Sequence, residues 1–248
     1  MIKDDGNYSA IILAGGLGTR LRSVVSNTPK PLAHIEGIPF IDFVLNQLRK
    51  NQIFNVVLSL YYEAHQIVNY LEKNVRPDMK INYVIENEPL GTGGAVNYVI
   101  SNFPVPELSL VVNGDTYVDF CFKDMLRSLK KKPDLGCIGL VKVPNISRYG
   151  AVSLNSDNFI TKFKEKGEAG AGLVNAGVYL LSSACFRSEN RKKYSLENDL
   201  FPELLIKNKL KGTIFHGDFF DIGTPEDYLR FCEKFKSGAI PSPKEDNK

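Results

Sequence analysis

The chain has 248 residues, of which 43% are hydrophobic and 24% charged, and its formal net charge is +3. This composition can bury a core and excludes a disordered chain, and the small, evenly spread charge excess argues against nucleic-acid binding. No run of about 18 apolar residues predicts a membrane span, and the start lacks a signal-peptide pattern. The four cysteines and three histidines lack metal-ligand spacing. We therefore expect a soluble, cytoplasmic protein without a nucleic-acid or membrane partner.

The first half of the chain alternates between short apolar runs and amphipathic segments. The apolar, β-branched runs predict strands at 9–14, 55–60, 81–85 and 108–113. Amphipathic spacing predicts helices at 40–50, 64–74 and 95–102. Strands separated by helices pair in parallel through right-handed crossovers. The pattern therefore predicts an α/β fold with a mixed, mainly parallel, doubly wound sheet of the Rossmann-like kind.

After about residue 135 the rhythm changes to strands joined by short turns. These strands are predicted at 135–142, 151–154, 159–164 and 173–181. A helix at 197–208, a strand at 211–216 and a helix at 225–237 complete the pattern. We expect one domain over 1–240, whose antiparallel section at about 135–185 forms a subregion inside or beside the parallel sheet. The polar, proline-broken tail at 241–248 is predicted to be mobile.

A glycine-rich turn follows the first predicted strand. Glycines at such a turn let backbone amides cradle phosphate, although a purely structural turn is the alternative. The turn lacks the Gly-Lys-Ser/Thr of a P-loop and the third glycine of a dinucleotide fingerprint. It ends instead at Arg20, whose guanidinium can hold two phosphate oxygens. Lys30, between Pro29 and Pro31, would alone be an ordinary loop lysine, but with Arg20 it favours a polyphosphate site.

Two acidic residues lie where a site at the end of the sheet would need them. Asp115 comes after the predicted strand 108–113, and Asp221 comes after Phe219-Phe220. Ligands of open α/β sheets bind beyond the carboxyl ends of strands. Two carboxylates that share a substrate's phosphates are a common way to bind Mg²⁺. The alternative for Asp221 is a plain turn before a helix that starts at Pro225.

These motifs together resemble a known family. The run from Gly15-Gly16 through Gly18-Thr19-Arg20-Leu21, followed by Pro29-Lys30-Pro31, is similar to the signature of the sugar-phosphate nucleotidyltransferases. The similarity extends along nearly the whole chain, with Arg22-Ser23-Val24 where many members have a proline. The resemblance implies the Rossmann-like nucleotidyltransferase fold and transfer of a nucleotidyl group from a nucleoside triphosphate to a sugar 1-phosphate, with release of pyrophosphate. It also implies Mg²⁺ bound by Asp115 and Asp221.

The resemblance also assigns roles to individual positions. Nucleotide-binding residues would be Leu13, Ala14, Gly15, Gly16, Gly18, Thr19, Glu86, Gly91 and Thr92. The catalytic cations would be Arg20 and Lys30 on the triphosphate and Lys166 on the sugar phosphate. Sugar contacts would come from Gly150, Glu165 and Asn175. Without the resemblance, the residues on the sugar side would be ordinary turn or strand positions.

The nucleobase preference depends on Glu86. A carboxylate only accepts hydrogen bonds, which suits the two adjacent donors of guanine better than the single donor of thymine or uracil. The segment 86–95 and the compact length most resemble bacterial members that make GDP-D-glycero-α-D-manno-heptose for capsule or lipopolysaccharide. Mannose 1-phosphate guanylyltransferases and thymidylyl-, uridylyl- or cytidylyltransferases of glucose 1-phosphate remain alternatives.

An alternative from another class is a non-catalytic sensor of sugar nucleotides. A sensor should have lost part of the cationic set or of the acidic pair, yet both sets are complete in this sequence. The enzyme is therefore the favoured interpretation. A homo-oligomer is compatible with the sequence, which does not indicate an oligomeric state.

Overall fold

The computed structural model describes residues 8–21, 25, 28–129, 135–164, 167, 169–186 and 191–243. The strands are β1 Ser9–Leu13, β2 His34–Ile35, β3 Ile38–Pro39, β4 Asn55–Leu60, β5 Lys80–Ile85, β6 Leu108–Asn113, β7 Thr116–Val118, β8 Gly136–Val143, β9 Val152–Leu154, β10 Ile160–Phe163, β11 Gly172–Ser182, β12 Leu210–Phe215 and β13 Phe219–Asp221. The α-helices are α1 Phe40–Lys50, α2 Ala64–Lys73, α3 Gly91–Asn102, α4 Phe122–Ser128, α5 Phe201–Ile206 and α6 Pro225–Lys236.

Nine of these strands form one mixed sheet in the described part of the chain. Strand β1 lies between β6 and β4 and is parallel to both, and β5 continues the parallel part beyond β4. On the other side, β11 runs antiparallel to β6 and to β8. The antiparallel section is therefore part of the same sheet, and the predicted α/β fold with a mainly parallel sheet is confirmed.

Apolar side chains are buried on both faces of this sheet, in two clusters. Ile11 and Ile12 of β1 are both fully buried but belong to different clusters, because successive side chains of a strand point to opposite faces. This explains why the strands read as nearly continuous apolar runs rather than as alternating ones. No helix among the described residues has the length and apolarity to cross a bilayer.

Aromatic rings fix the closing helix α6 against the rest of the domain. The ring of Phe231 makes edge-to-face contacts with Phe40, Phe43, Tyr117 and Phe220, with centroids 5.1 to 5.4 Å apart. Edge-to-face pairs at this distance are favourable beyond their buried area. Because Phe220 belongs to β13, this cluster also determines where Asp221 lies.

The structure differs from the predicted elements at two helices. Helix α3 begins at Gly91 rather than at 95, and the predicted helix 197–208 is a π-helical segment Leu196–Leu200 followed by α5. Glycine is a poor helix former, so sequence reasoning placed the four-residue start of α3 in a loop. The backbone amides of Gly93 and Gly94 donate to the Tyr194 carbonyl, and this tertiary contact stabilises the first turn of α3.

Candidate active site

Three segments that are distant in the sequence bring one lysine and two carboxylates together. Lys30 lies in a 3-10 turn, Lys30–Leu32, and its Nζ donates to Oδ2 of Asp115 at 2.7 Å. Asp221 lies close to both, as the surroundings of Gly223 show. A Cβ built on that glycine would lie 2.8 Å from Lys30 Nζ, 2.7 Å from Asp221 Oδ1 and 3.4 Å from Asp115 Oδ2, so all three side chains meet around it. The predicted triphosphate cation and the two predicted metal ligands therefore form one cluster.

A separate two-stranded sheet, formed by strands that are distant in the sequence, places the two acids side by side. Strand β13 pairs antiparallel with β7, and the register sets Asp221 opposite Thr116, next to Asp115. The Ile222 amide donates to the Asp115 carbonyl at 3.0 Å, and the Gly223 amide donates to Asp221 Oδ1 at 2.9 Å. Sequence reasoning missed this pairing because strands of three residues show no hydrophobic period.

The electrostatics of the cluster fit a divalent cation. Burial raises the pKa of Asp221, the negative charge of Asp115 raises it further, and the Gly223 amide and the charges of Lys30 and Arg20 oppose this. A buried carboxylate whose charge is opposed by a neighbouring carboxylate gains from a nearby cation. No group of three or more His, Cys, Asp or Glu in the described residues could hold a metal. This pair of oxygen ligands therefore suits a cation that completes its shell with phosphates and water.

The glycine-rich turn after β1, here called the glycine loop (residues 15–20), lies against this cluster. Its start is held by the bond from the Ala14 amide to the Ser59 carbonyl, at 2.9 Å. Gly18 has φ +67°, and a Cβ there would lie 3.2 Å from Lys30 Cγ. Thr19 and Arg20 are exposed where the loop ends. Loop and lysine therefore border the same space, as a polyphosphate site requires.

Glu86 lies on the other side of the glycine loop. It is only 6% exposed, and its Oε1 accepts from Ser59 Oγ at 2.8 Å while Oε2 accepts from the Leu90 amide at 3.1 Å. Burial raises the pKa of Glu86, and these two hydrogen bonds oppose the change. A Cβ on Gly15 would lie 3.2 Å from Glu86 Oε1. The structure thus places the predicted base-recognition residue beside the predicted phosphate loop.

The run that starts α3, which carries the predicted nucleotide-binding residues Gly91 and Thr92, packs closely against another segment of the chain. A Cβ on Gly91 would lie 2.5 Å from the Tyr194 carbonyl oxygen, and one on Gly93 would lie 2.3 Å from the Tyr194 ring. The hydroxyl of Thr92 donates to Glu197 Oε2 at 2.6 Å and accepts from the Leu196 amide at 2.8 Å. These residues therefore make room for, and bind, the segment 194–197.

The residues predicted on the sugar side are only partly described. Asn175 donates from Nδ2 to the Tyr179 hydroxyl at 3.0 Å and accepts the Gly177 amide at Oδ1, at 2.9 Å. The Gly150 amide donates to the Ile146 carbonyl at 3.1 Å. Glu165 and Lys166 lie outside the described residues.

A buried acid that sequence reasoning missed connects the sugar-side turn to α6. Asp227 is 2% exposed and accepts hydrogen bonds from Tyr149, Arg148 and Arg230, at 2.8 to 3.2 Å. Its only sequence signal was a position in the first turn of a predicted helix, where acids are common on solvent-exposed faces. Asp227 therefore fixes the turn before Gly150 relative to the strand that carries Asp221.

Comparison with known proteins gives consistent results. Residues 9–238 match the family model described as nucleotidyl transferase. A D-glycero-alpha-D-manno-heptose 1-phosphate guanylyltransferase of Campylobacter jejuni is 39% identical over 223 residues, covering 90% of this chain and 97% of the relative. A mannose-1-phosphate guanylyltransferase catalytic subunit beta of Drosophila pseudoobscura is 32% identical, over 89% of this chain and 60% of the relative. The crystal structure of HddC from Yersinia pseudotuberculosis complexed with GMP-PN superposes with a TM-score of 0.81 at 36% identity, covering 92% of this chain and 99% of that one.

Proposed function

The chain belongs to the nucleotidyl transferase family, and from this premise we propose that it transfers the guanylyl group of GTP to D-glycero-α-D-manno-heptose 1-phosphate. The products would be GDP-heptose and pyrophosphate. The observation that carries the reaction type is the convergence of Lys30, Asp115 and Asp221 beside the glycine loop. The choice of substrates is supported by the C. jejuni relative and by the bound GMP-PN of the similar solved structure.

The chemistry needs charge neutralisation more than a base. An oxygen of the sugar phosphate attacks the α-phosphorus of GTP, and the bond to the pyrophosphate oxygen breaks. Because the nucleophile is already an anion, catalysis has to come from positioning and from stabilising negative charge. Arg20 and Lys30 would stabilise the α-phosphate and the leaving pyrophosphate, and Lys166 would hold the sugar phosphate. The bond from Lys30 to Asp115 supports this role, since it restricts the ammonium to the site.

Members of the family generally use a divalent metal, and we propose Mg²⁺ for this protein. Asp115 and Asp221 would hold it, because carboxylate oxygens are the hard ligands that Mg²⁺ prefers. The chemistry that such an ion would supply, held by Asp115 and Asp221, is positive charge that neutralises the phosphates. The like-charge effect of Asp115 on Asp221 supports the assignment.

The remaining assignments extend this proposal. Gly150, Glu165 and Asn175 would contact the sugar, within a subregion at 135–185 of a single catalytic domain over 1–240. The remaining nucleotide-binding assignments, Gly91 and Thr92 included, stay part of the proposal. The reaction would take place in the cytoplasm, where its product would supply capsule or lipopolysaccharide synthesis.

The test is pyrophosphate release with each of the four nucleoside triphosphates against heptose, mannose and glucose 1-phosphates. We expect GTP with heptose 1-phosphate to give the highest kcat/KM. A pyrimidine nucleotide preference would overturn the argument from Glu86. Preference for mannose 1-phosphate would instead favour the second candidate, which the 32% identity to a mannose enzyme supports. Binding of a sugar nucleotide without any turnover would indicate a sensor.

A further inference from the structure

The carboxylate of Glu86 is buried, yet its hydrogen bonds come from neutral donors. Among the described residues it accepts from the Ser59 hydroxyl and from the Leu90 amide, and no lysine or arginine pairs with it. Each carboxylate oxygen can accept two hydrogen bonds, so one lone pair on each oxygen lies outside these contacts. Burying a carboxylate costs free energy when its oxygens accept fewer hydrogen bonds than they can. A ligand that donates one hydrogen bond to each oxygen would offset this cost.

Ser59 is a polar residue in an otherwise apolar strand. It is fully buried in β4, where its neighbours Leu58 and Leu60 are core residues. A buried hydroxyl costs free energy unless it is hydrogen-bonded, and Ser59 Oγ bonds to Glu86 Oε1 at 2.8 Å. The carbonyl of the same residue accepts from the Ala14 amide. Ser59 therefore connects the base of the phosphate loop to the carboxylate that faces it.

We propose that Ser59 is a positioning residue for nucleobase selection: together with the Leu90 amide it fixes the rotation of the Glu86 carboxylate, so that both oxygens present a lone pair to the ring N–H and exocyclic amine of guanine. This inference rests on the proposed use of GTP. With one donor on each oxygen, the carboxylate is held at both ends. Removing the Ser59 hydroxyl leaves Oε1 without its protein donor and lets the group rotate about its last bond.

The experiment compares Ser59→Ala with the parent enzyme, using GTP and ITP with the same sugar 1-phosphate. ITP keeps the ring N–H of guanine and lacks the exocyclic amine. A hydrogen bond to a charged group contributes roughly tenfold or more, so we expect the parent to prefer GTP by about that factor in kcat/KM. In Ser59→Ala this preference should fall several-fold, with KM for GTP raised and KM for the sugar 1-phosphate unchanged.

Ser109→Ala is the matched control. Ser109 is also a buried serine on a strand of the same sheet, 5% exposed, and its hydroxyl bonds to the Pro106 carbonyl at 3.3 Å. We expect its GTP-to-ITP ratio to equal that of the parent. Both kcat/KM values are measured on the same preparation of each variant. Partial unfolding would therefore lower the activity with GTP and with ITP equally and leave the GTP-to-ITP ratio unchanged.

Two results separate this inference from the proposed function. If Glu86→Gln abolishes the preference for GTP while Ser59→Ala leaves the GTP-to-ITP ratio unchanged, Ser59 has no role in selection and the use of GTP stands. If the parent enzyme does not prefer GTP over the other nucleoside triphosphates, the proposed function fails, and this inference fails with it.

Discussion

The ammonium of Lys30 and the carboxylate of Asp115 form a 2.7 Å charge-assisted hydrogen bond between residues 85 positions apart. Their side chains are 12% and 28% exposed, so solvent screens the pair less than it screens a surface ion pair. The bond attaches the proline-flanked turn to the carboxyl end of β6. It places the cation proposed to bind phosphate next to an acid proposed to bind the metal.

We expect Lys30→Ala and Asp115→Asn each to lower kcat by on the order of a hundredfold or more, as loss of a transition-state charge contact typically does. Because the two groups touch, the double variant should lose less than the product of the single effects. Pyrophosphate release measures this, with Lys123→Ala on the exposed face of α4 as the control. Turnover equal to that of the parent in both single variants would remove these residues from the site.

Asp221→Asn should separate activity from stability. The folded state raises the pKa of Asp221 through burial and the charge of Asp115, so its ionisation opposes folding. This penalty is absent at low pH and appears as pH rises above the ordinary pKa of 3.8 towards the raised value. Without divalent cations, we therefore expect the variant's Tm at neutral pH to equal or exceed that of the parent, with the difference disappearing in acid.

The same variant should lose the effect of the metal. A cation that binds only the folded state raises Tm by mass action, so Mg²⁺ should stabilise the parent and leave Asp221→Asn almost unchanged. The Mg²⁺ concentration for half-maximal turnover should increase tenfold or more, because one of the two proposed ligands is removed. A parent-like Mg²⁺ dependence of Tm and turnover would contradict the assignment.

Gly18→Ala should damage catalysis beyond its effect on stability. Gly18 has φ +67°, and a Cβ would press on Lys30 Cγ at 3.2 Å, whereas Gly37 has φ +82° with no atom within 4 Å of such a Cβ. Alanine at either position costs about 1 kcal/mol in the left-handed region. We therefore expect similar losses in free energy of unfolding by urea, and a reduced kcat for Gly18→Ala alone. Equal kcat in the two variants would argue against a role for the loop in placing Lys30.

Asp227→Ala should strongly destabilise the fold, because it leaves two arginines and the Tyr149 hydroxyl without their buried partner. Arg148 and Arg230 are 37% and 41% exposed and regain water, so we expect the loss to be about 1 to 3 kcal/mol, the range for a removed buried hydrogen-bond partner. Urea unfolding measures this loss. Glu226→Ala is the control: that side chain also bonds Arg148 but is 78% exposed, so its removal should have little effect. Similar losses in free energy of unfolding in both variants would show that the buried Asp227 stabilises the fold no more than the exposed Glu226 does.

The sequence by itself determined the elements whose signal is local. The runs at 55–60 and 108–113 are strands over those residues, and 40–50 is a helix over those residues, because hydrophobic period and strand composition act within a few neighbours. The glycine loop and the cations near it were likewise readable from turn chemistry and residue type. Strands β7 and β13 were not, since three residues are too few to show a period.

Tertiary structure decided which of these residues come into contact, and how those contacts change their electrostatics and packing. Pairing of β7 with β13 sets Asp221 beside Asp115, and burial makes the two charges interact. Packing against Tyr194 leaves no room for a side chain at Gly91 or Gly93, which no pattern in the sequence indicates. The bond from Ser59 to Glu86 joins β4 to the residue that follows β5. Such contacts depend on distances through space, which residue order and composition do not encode locally.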